Sequence, residues 1–440
     1  ILDFQKRHSA KVYFLEDNFR CRASHVALAN AVIVHSPQRS PKSVKLTQGF
    51  DGETVLHRPV DEAAQGQAVV EQVQRALRDG RRAPGIAVLV RLYAQTAAIE
   101  ACLLEAGVPY RVEGERPFYQ REEAKVLLDY IRLGQIEADL LAGRPLSDDT
   151  IDEFLDLWPR LRNRPNRYLP RAVGEEIGRW VAEKQQPLST ALRAFASRSR
   201  NRGGEQMEKF AGDLAWLAGQ VQPGSINDRP ARGLLAELDN RLGYREELLR
   251  ASGDDSLGQA KAGAIDALLQ LAQGQGSVER FVRFVGQLES SHQRRKGGAE
   301  LVTLTTIHRA KGLEWPVVLL PGVSEGTLPY ERKADCQSAL QENLAEERRL
   351  LYVAITRAQE RLHIFAPADR PLSRFLQEAE AENVLAQVGN IRHALSLPPA
   401  RWGGEEVQAA AVTAKGLGFY SFFALWWSGD QRYRQQMAQV

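Results

Sequence analysis

Pro84-Gly85-Ile86-Ala87-Val88-Leu89-Val90-Arg91 contains five apolar residues in a row, three of them β-branched, introduced by a Pro-Gly turn signal. A strand with one wet face alternates apolar and polar side chains; this run does not. It therefore predicts a strand buried on both faces, as in a parallel sheet covered by helices. Outward from it, residues 11–15 and 53–57 read as strands, and residues 24–34, 61–78 and 95–106 as helices. That alternation predicts an α/β domain with a parallel sheet.

Beyond residue 122 the pattern changes. Runs at 123–132, 188–198, 206–220, 231–242 and 260–272 carry helical periodicity, punctuated by Gly and Pro, and no convincing strand interrupts them. Strand–helix alternation returns at 301–306, 316–320, 342–357 and 361–365. The expected organisation is an α/β domain in two parts, 1–121 and 296–380, interrupted by an α-helical insertion at 122–295. A C-terminal extension follows at 381–440. The stretch 293–300, with Arg294-Arg295-Lys296-Gly297-Gly298, reads as the return linker. In the tail after residue 365, Ser373-Arg374-Phe375-Leu376 reads as helical, and further on a dense aromatic block, 419–427, suits either a helix docked on the core or a partner-binding patch.

The 440 residues are 43% hydrophobic and 26% charged, which excludes a disordered chain. The net charge of +3 permits nucleic-acid binding without requiring it. Cys21, Cys102 and Cys336 lie too far apart to suggest a disulfide framework or a zinc site. No apolar run approaches the ~20 residues that span a bilayer, and no secretory signal opens the sequence. A reducing cytoplasm is expected. Opening on Ile1 rather than methionine reads as a trimmed or proteolysed piece of a longer protein.

Two blocks carry the chemistry. Thr305-Thr306-Ile307-His308-Arg309-Ala310-Lys311-Gly312-Leu313-Glu314-Trp315-Pro316 runs from a strand into a polar turn, and polar groups at carboxyl ends of strands sit where α/β sheets bind ligands. Glu346-Glu347-Arg348-Arg349-Leu350-Leu351-Tyr352-Val353-Ala354-Ile355-Thr356-Arg357-Ala358 has Leu350, Leu351, Ala354, Ile355 and Ala358 at helical spacing, with Arg357 near the helix end. Arg348 and Arg349 read as ion-pair partners of Glu346 or Glu347. Earlier, Leu15-Glu16-Asp17-Asn18-Phe19-Arg20-Cys21 offers a ring that could stack on a base beside a guanidinium that could hold phosphate.

Together these blocks resemble motifs IV, V and VI of superfamily 1 DNA helicases of the UvrD/Rep/PcrA type. Three further stretches extend the resemblance over most of residues 12–380. Arg91-Leu92-Tyr93-Ala94-Gln95-Thr96 is similar to the R-x-N-x-Q-S-R block, with Tyr93 in place of Asn and Ala97 in place of the second Arg. The segment 109–125, with Pro117-Phe118-Tyr119-Gln120-Arg121-Glu122-Glu123-Ala124-Lys125, is similar to the lead-in of the inserted 2B domain. Asn163-Arg164-Pro165-Asn166-Arg167 is similar to a basic loop of 2B, with Tyr168-Leu169-Pro170 where the family often has Gly-Ile-Gly. The Arg-rich stretches 198–202 and 294–296 read as solvated turns.

The resemblance implies a RecA-like domain of the P-loop NTPase type, split by a helical 2B insertion. It implies ATP as nucleotide, with Phe19 on adenine, Arg20 at the γ-phosphate, Glu314 on the ribose, Gly312 allowing a close turn and Arg357 as arginine finger. Arg91, Tyr93, Thr306, His308 and Arg309 would meet single-stranded DNA, and Arg164 and Arg167 DNA phosphates near a single-/double-strand junction. No G-x-x-x-x-G-K-[ST] phosphate loop occurs in the sequence. The loop and the Mg2+ ligands are thus expected on a first RecA-like domain, in the same protein or another chain, and no metal site is expected here. Family resemblance also implies 3′→5′ translocation. Two other readings stay open: a split or degenerate module that binds DNA or protein without turnover, and a subunit of a RecB/AddA-like helicase–nuclease. The Glu123-Ala124-Lys125 fragment does not favour the nuclease, because it opens a helix and lacks companion carboxylates.

Overall fold

The structure, a computed structural model, describes residues 8, 11, 13, 16–36, 44–198, 202–221, 230–252, 255–294, 300–330, 337–398, 401 and 404–419. The chain forms two compact units. One comprises Ile1–Tyr93, Pro109–Gly114 and Glu300–Val440; the other comprises Ala94–Val108 and Glu115–Ala299.

The first unit is built on a six-stranded sheet. In chain order its strands are β3 (Glu53–His57), β4 (Ile86–Val90), β5 (Tyr110–Val112), β6 (Val302–Thr306), β7 (Trp315–Leu320) and β8 (Ala358–Phe365), after a two-stranded pair, β1 (Asp17–Asn18) and β2 (Lys45–Leu46). The spatial order is β3-β8-β7-β4-β6-β5 and every pairing is parallel. β4 lies between β7 and β6, with Val88 opposite both Leu319 and Leu304, and all five of its residues are buried. That is what its unbroken apolar run requires: neighbours on both edges and side chains on both faces.

Helices close the faces. Ala23–Ile33 and Gln337–Ile355 pack together, and Leu350, Leu351 and Ala354 join Leu89, Val318, Leu320, Leu362 and Ile364 in one core. Glu62–Arg78 starts at Asp61, whose carboxylate accepts the Ala64 N–H at 2.8 Å, an N-cap that satisfies one orphan donor of the first turn. Ala381–Ser396 and Glu405–Gly416 form a second core with Ala23, Val26 and Ala27. Phe419 is buried there, edge-on to Phe50 at 5.9 Å; the rest of the aromatic block lies outside the described residues. The strand expected at 11–15 is not borne out where it can be seen. Lys11 and Tyr13 belong to no regular element, residues 12, 14 and 15 lie outside the described set, and the strand proper is Asp17–Asn18. Tyr110–Val112 is a strand that the sequence reading passed over: three residues at the sheet edge, with Arg111 exposed.

The second unit is helical. Its principal helices are Thr96–Glu105, Glu122–Leu141, Asp148–Leu161, Arg171–Lys184, Leu188–Ala196, Arg202–Gln220, Ala231–Leu242, Tyr244–Ala251, Asp255–Gln275 and Val278–Arg294. Their apolar stripes meet around Phe118, Tyr130, Phe154, Trp158, Phe210 and Phe281. Two buried carboxylates organise the backbone. Glu100 accepts the Phe118 N–H at 3.0 Å and bonds Thr96 and Arg121, so Arg121 of the 109–125 segment is a structural partner. Glu137 accepts the Leu188 and Ser189 N–H groups at 2.7 and 3.0 Å, capping a helix that follows Pro187. Glu137→Ala leaves two buried N–H groups without an acceptor. It should cost about 2–6 kcal/mol, on the order of 1–3 per orphaned group, measured by urea unfolding; a change within 0.5 kcal/mol would show that the cap is dispensable.

Burial lowers the pKa of three histidines on the sheet unit, His25, His57 and His363. His25 is wholly buried, and burial pulls its pKa down to about 3. His363 is pulled down to about 4 by burial and by neighbouring His57, whose Nε2 lies 3.1 Å from its Nδ1. Because the folded values lie below the ordinary 6.5, the unfolded chain binds more protons in between. Stability is full above about pH 6.5 and falls as pH drops toward 4, by up to about 1.4 kcal/mol per pH unit for each histidine. Urea midpoints taken between about pH 7.5 and pH 5 should fall, and His25→Phe should flatten the slope.

Candidate nucleotide and nucleic-acid sites

The sequence-predicted residues of the sheet unit fall into two groups, one at each end of the strands. Arg20, Glu314, Thr356 and Arg357 form the first, beside the amino ends of β7 and β8. Strand β1 stops at Asn18, whose side-chain oxygen accepts the N–H groups of Arg20 and Cys21 at 2.9 and 2.7 Å. This Asx turn folds the backbone sharply and leaves the Phe19 ring 75% exposed, unusual for a phenylalanine. Arg20 pairs with Glu314 through Nε, and its Nη1 donates to the Thr356 carbonyl at 3.2 Å. Arg357 donates from Nε to the Val353 carbonyl at 3.0 Å, from Nη1 to the Leu313 carbonyl at 3.0 Å, and from Nη2 to the Thr356 hydroxyl at 3.2 Å.

The electrostatics of this group follow from the two arginines. The Arg20 hydrogen bond holds the Glu314 carboxyl below its usual range, helped by Gln359, which donates at 2.9 Å. Burial, and then the charge of Arg20, pull the Arg357 pKa downward. Two cations kept this close are poised to accept a polyanion. Cys21 follows them but is buried, and burial pushes its thiol up to about 11, so it is a packing residue. Gly312 has φ +88°, a backbone conformation that side chains resist, which suits the tight turn expected there.

The second group lies at the carboxyl ends of β4 and β6. Thr306 ends β6, and its hydroxyl accepts the Arg309 N–H at 3.4 Å. His308 and Arg309 are exposed on the turn. Partial burial, Arg91 and Lys311 lower the His308 pKa, favouring the neutral imidazole. Tyr93 is half-buried and donates to the Glu113 carbonyl. Gly114, at φ +91°, leaves room for the Arg309 guanidinium, which a Cβ there would strike.

Arg91 stands apart from its expected role as a phosphate contact. It is 7% exposed, and Glu347, 1% exposed, takes it bidentately, with Nε at 3.0 Å from both oxygens and Nη2 at 2.8 Å from one. Tyr330 lies under the guanidinium at 5.3 Å and donates its N–H to Glu347 at 3.0 Å. The expected partnership of Arg348 with Glu346 or Glu347 is likewise corrected: Arg348 pairs with Glu378 at 2.6 Å and stacks on Phe375 at 4.4 Å.

In the helical unit, Arg167 is also buried. Its Nη1 donates to the carbonyls of Leu161, Arg162 and Pro165 at 3.1–3.4 Å, and its guanidinium stacks on Phe210 at 3.8 Å. It holds the loop together from inside rather than facing a phosphate. Arg164 is half-exposed and pairs with Glu122. Tyr168 takes φ +57° and stays 58% exposed, with Arg202 over its ring at 5.0 Å. Glu123-Ala124-Lys125 occupies the first turn of a helix, as expected. Among the described residues no three His, Cys, Asp or Glu side chains gather as a metal would require, so the donor set does not fit a magnesium site within them.

The sheet unit is a parallel α/β domain that brings Arg20, Arg357 and the exposed Phe19 ring together at one end of its strands. The match to known sequences is specific: a model of the UvrD-like helicase C-terminal domain covers residues 13–144 and 254–367, over half of the chain, which belongs to the UvrD-like helicase family. It is similar to the ATP-dependent DNA helicase PcrA of Bacillus subtilis (strain 168), 30% identical over 405 residues, 86% of this chain and 51% of the relative. The same-named helicases of Staphylococcus epidermidis (strain ATCC 12228 / FDA PCI 1200) and Staphylococcus aureus (strain Mu50 / ATCC 700699) are 26% and 28% identical, over 90% and 86% of this chain and 53% and 51% of theirs. The chain thus spans about half the length of the curated relatives it matches.

The Arg91 pair predicts an asymmetric response to mutation. Glu347→Ala alone leaves a buried uncompensated charge and should cost about 3–5 kcal/mol; Arg91→Met combined with Glu347→Leu removes both charges and should cost much less. Denaturant unfolding of the wild type and the two variants tests it, and equal losses in both variants would exclude the ion-pair account.

Proposed function

We propose that this chain is the C-terminal, RecA-like half of an ATP-dependent DNA helicase that moves 3′→5′ along single-stranded DNA in the cytoplasm. Nucleotide lies between the Arg20/Arg357 face and a first RecA-like domain, in the same protein or another chain, that carries the phosphate loop and the magnesium ligands. The observation that carries the reading is the convergence of Arg20, Glu314, Thr356 and Arg357 beside an exposed Phe19. Such a set of polar groups answers the parts of a nucleotide one by one.

Phe19 stacks on adenine and Glu314 accepts a hydrogen bond from the ribose. The Arg20–Glu314 pair is partly exposed, at 29% and 43%, and pairs of that kind contribute only ~0–1 kcal/mol. Arg20 therefore exchanges Glu314 for the γ-phosphate at little cost. Arg357 completes the set as arginine finger, spreading the charge that develops as the γ-phosphoryl transfers to water. Thr306, His308, Arg309 and Tyr93 track the single strand, and Arg164 contributes a phosphate contact where single strand meets duplex. Contacts of this kind are sequence-independent and salt-sensitive. Arg91 and Arg167, being buried, shape these surfaces from behind.

On this reading the polypeptide alone does not turn over ATP. DNA-stimulated ATPase should appear when a phosphate-loop domain is supplied, and Arg357→Ala should then lower turnover by about 10³–10⁵ while leaving oligonucleotide affinity unchanged. Binding of the chain to fluorescent oligo(dT) should weaken with log salt by about 0.7 per neutralised phosphate. Turnover by the isolated chain, or full turnover with Arg357→Ala, would refute the assignment. No DNA binding and no restored ATPase would favour a protein-docking module instead.

A further inference from the structure

We infer that the buried pair of Arg91 and Glu347 is a strut that sets the arginine finger according to what occupies the nucleic-acid face, touching neither nucleotide nor DNA itself. The inference rests on the reading of Thr306, His308 and Arg309 as nucleic-acid contacts.

The geometry starts from the sheet. The candidate nucleic-acid residues stand at the carboxyl ends of β4 and β6, whereas Glu314 and Arg357 stand just before the amino ends of β7 and β8. A five-residue strand places those ends roughly 16 Å apart. Two segments cross between them. One is the turn from Thr306 to Glu314, which carries His308 and Arg309 on its way. The other is the helix Gln337–Ile355, which delivers Thr356 and Arg357 at its end. The two meet at the amino ends, where Arg357 bonds the Leu313 carbonyl and the Trp315 N–H bonds the Arg357 carbonyl at 3.0 Å.

At the carboxyl ends the circuit is closed by the backbone and by one ionic contact. The Ile307 N–H donates to the Val90 carbonyl at 2.9 Å, fixing the root of the turn to β4. The next residue of β4's chain, Arg91, then grips Glu347 with three hydrogen bonds. Glu347 lies ten positions before Arg357, about 15 Å along a helix. A fork-on-carboxylate contact has a defined plane and direction, so displacement of Arg91 turns the helix rather than sliding past it. Tyr330 braces the contact from below and through its N–H. Arg91 and Glu347 also reach His308 electrostatically, with opposite signs. A phosphate arriving at His308 and Arg309 perturbs the pair, and the helix carries that change to Thr356 and Arg357.

Amide hydrogen exchange on the full chain, with oligo(dT) as the probe, tests this. In the wild type, oligo(dT) should change exchange at residues 352–357 by about fivefold or more, the low end of ordinary coupling between sites. In Glu347→Gln that ratio should fall toward one, although oligo(dT) still binds. Because this variant leaves a buried unpaired cation, Arg91→Met combined with Glu347→Gln serves as a charge-free second variant and should behave alike. A purely structural loosening would speed exchange equally with and without oligo(dT), leaving the ratio intact. Retention of the wild-type ratio in the charge-free variant overturns the strut. So does a wild type that binds oligo(dT) without any change at 352–357, which leaves the nucleic-acid reading standing. A wild type that does not bind oligo(dT) removes both.

Discussion

Parallel pairing of β4 between β6 and β7 is the constraint from which the sheet unit follows. Parallel neighbours cannot be joined by tight turns. Each connection must leave the carboxyl end of one strand and return to the amino end of the next. The returning segments therefore do two things at once. They cover the sheet, through Leu350, Leu351 and Ala354, and they present different side chains at their two ends. The turn after β6 shows His308 and Arg309 at its start and Glu314 at its finish. The helix after β7 carries Glu347 in its middle and hands over to Arg357. The parallel sheet thus holds these two groups of side chains in a fixed relation through its connectivity.

The arginines divide into two populations that composition cannot separate. Arg91, Arg121, Arg167 and Arg348 are buried against carboxylates, carbonyls or rings. Arg20, Arg164 and Arg309 keep contact with water. A planar guanidinium with five donors can satisfy a buried carboxylate or several carbonyls, which is why arginine rather than lysine fills the first set. The modest net charge of +3 accordingly does not tell which cations face water and which serve the interior.

The fold was legible where the sequence has a single dominant signal. Ile86–Val90 could only be a buried strand, and the long amphipathic runs of the helical unit could only be helices. Tyr110–Val112 was missed because three residues give no period, and its strand character comes from pairing with β6. The grouping of Arg20, Glu314 and Arg357 was legible because these residues lie in two dense motifs and one short turn, whose spacing survives in three dimensions. The fates of Arg91 and Arg167 were not. In both cases the deciding partner, Glu347 or the carbonyls and ring around Arg167, is set by tertiary packing. Arg348 reached Glu378 rather than its sequence neighbours for a related reason: its own helix aims it at Phe375 and Glu378, on the short helix Arg374–Glu378 that follows β8.

The edge strand β5 and its neighbour β6 are joined by a very long detour: Arg111 and Thr303, which face each other, stand 192 positions apart in the chain. Closing so large a loop costs conformational entropy that three register pairs repay poorly, unless the intervening chain has already gathered itself. Contacts of such separation also slow folding. Prior collapse of the helical unit on its own apolar stripes would shorten the effective tether, and on that account β5 should dock late. The same asymmetry makes this edge the first part of the sheet to open, so transient unfolding there should cost less than loss of β4, which both of its neighbours hold in place.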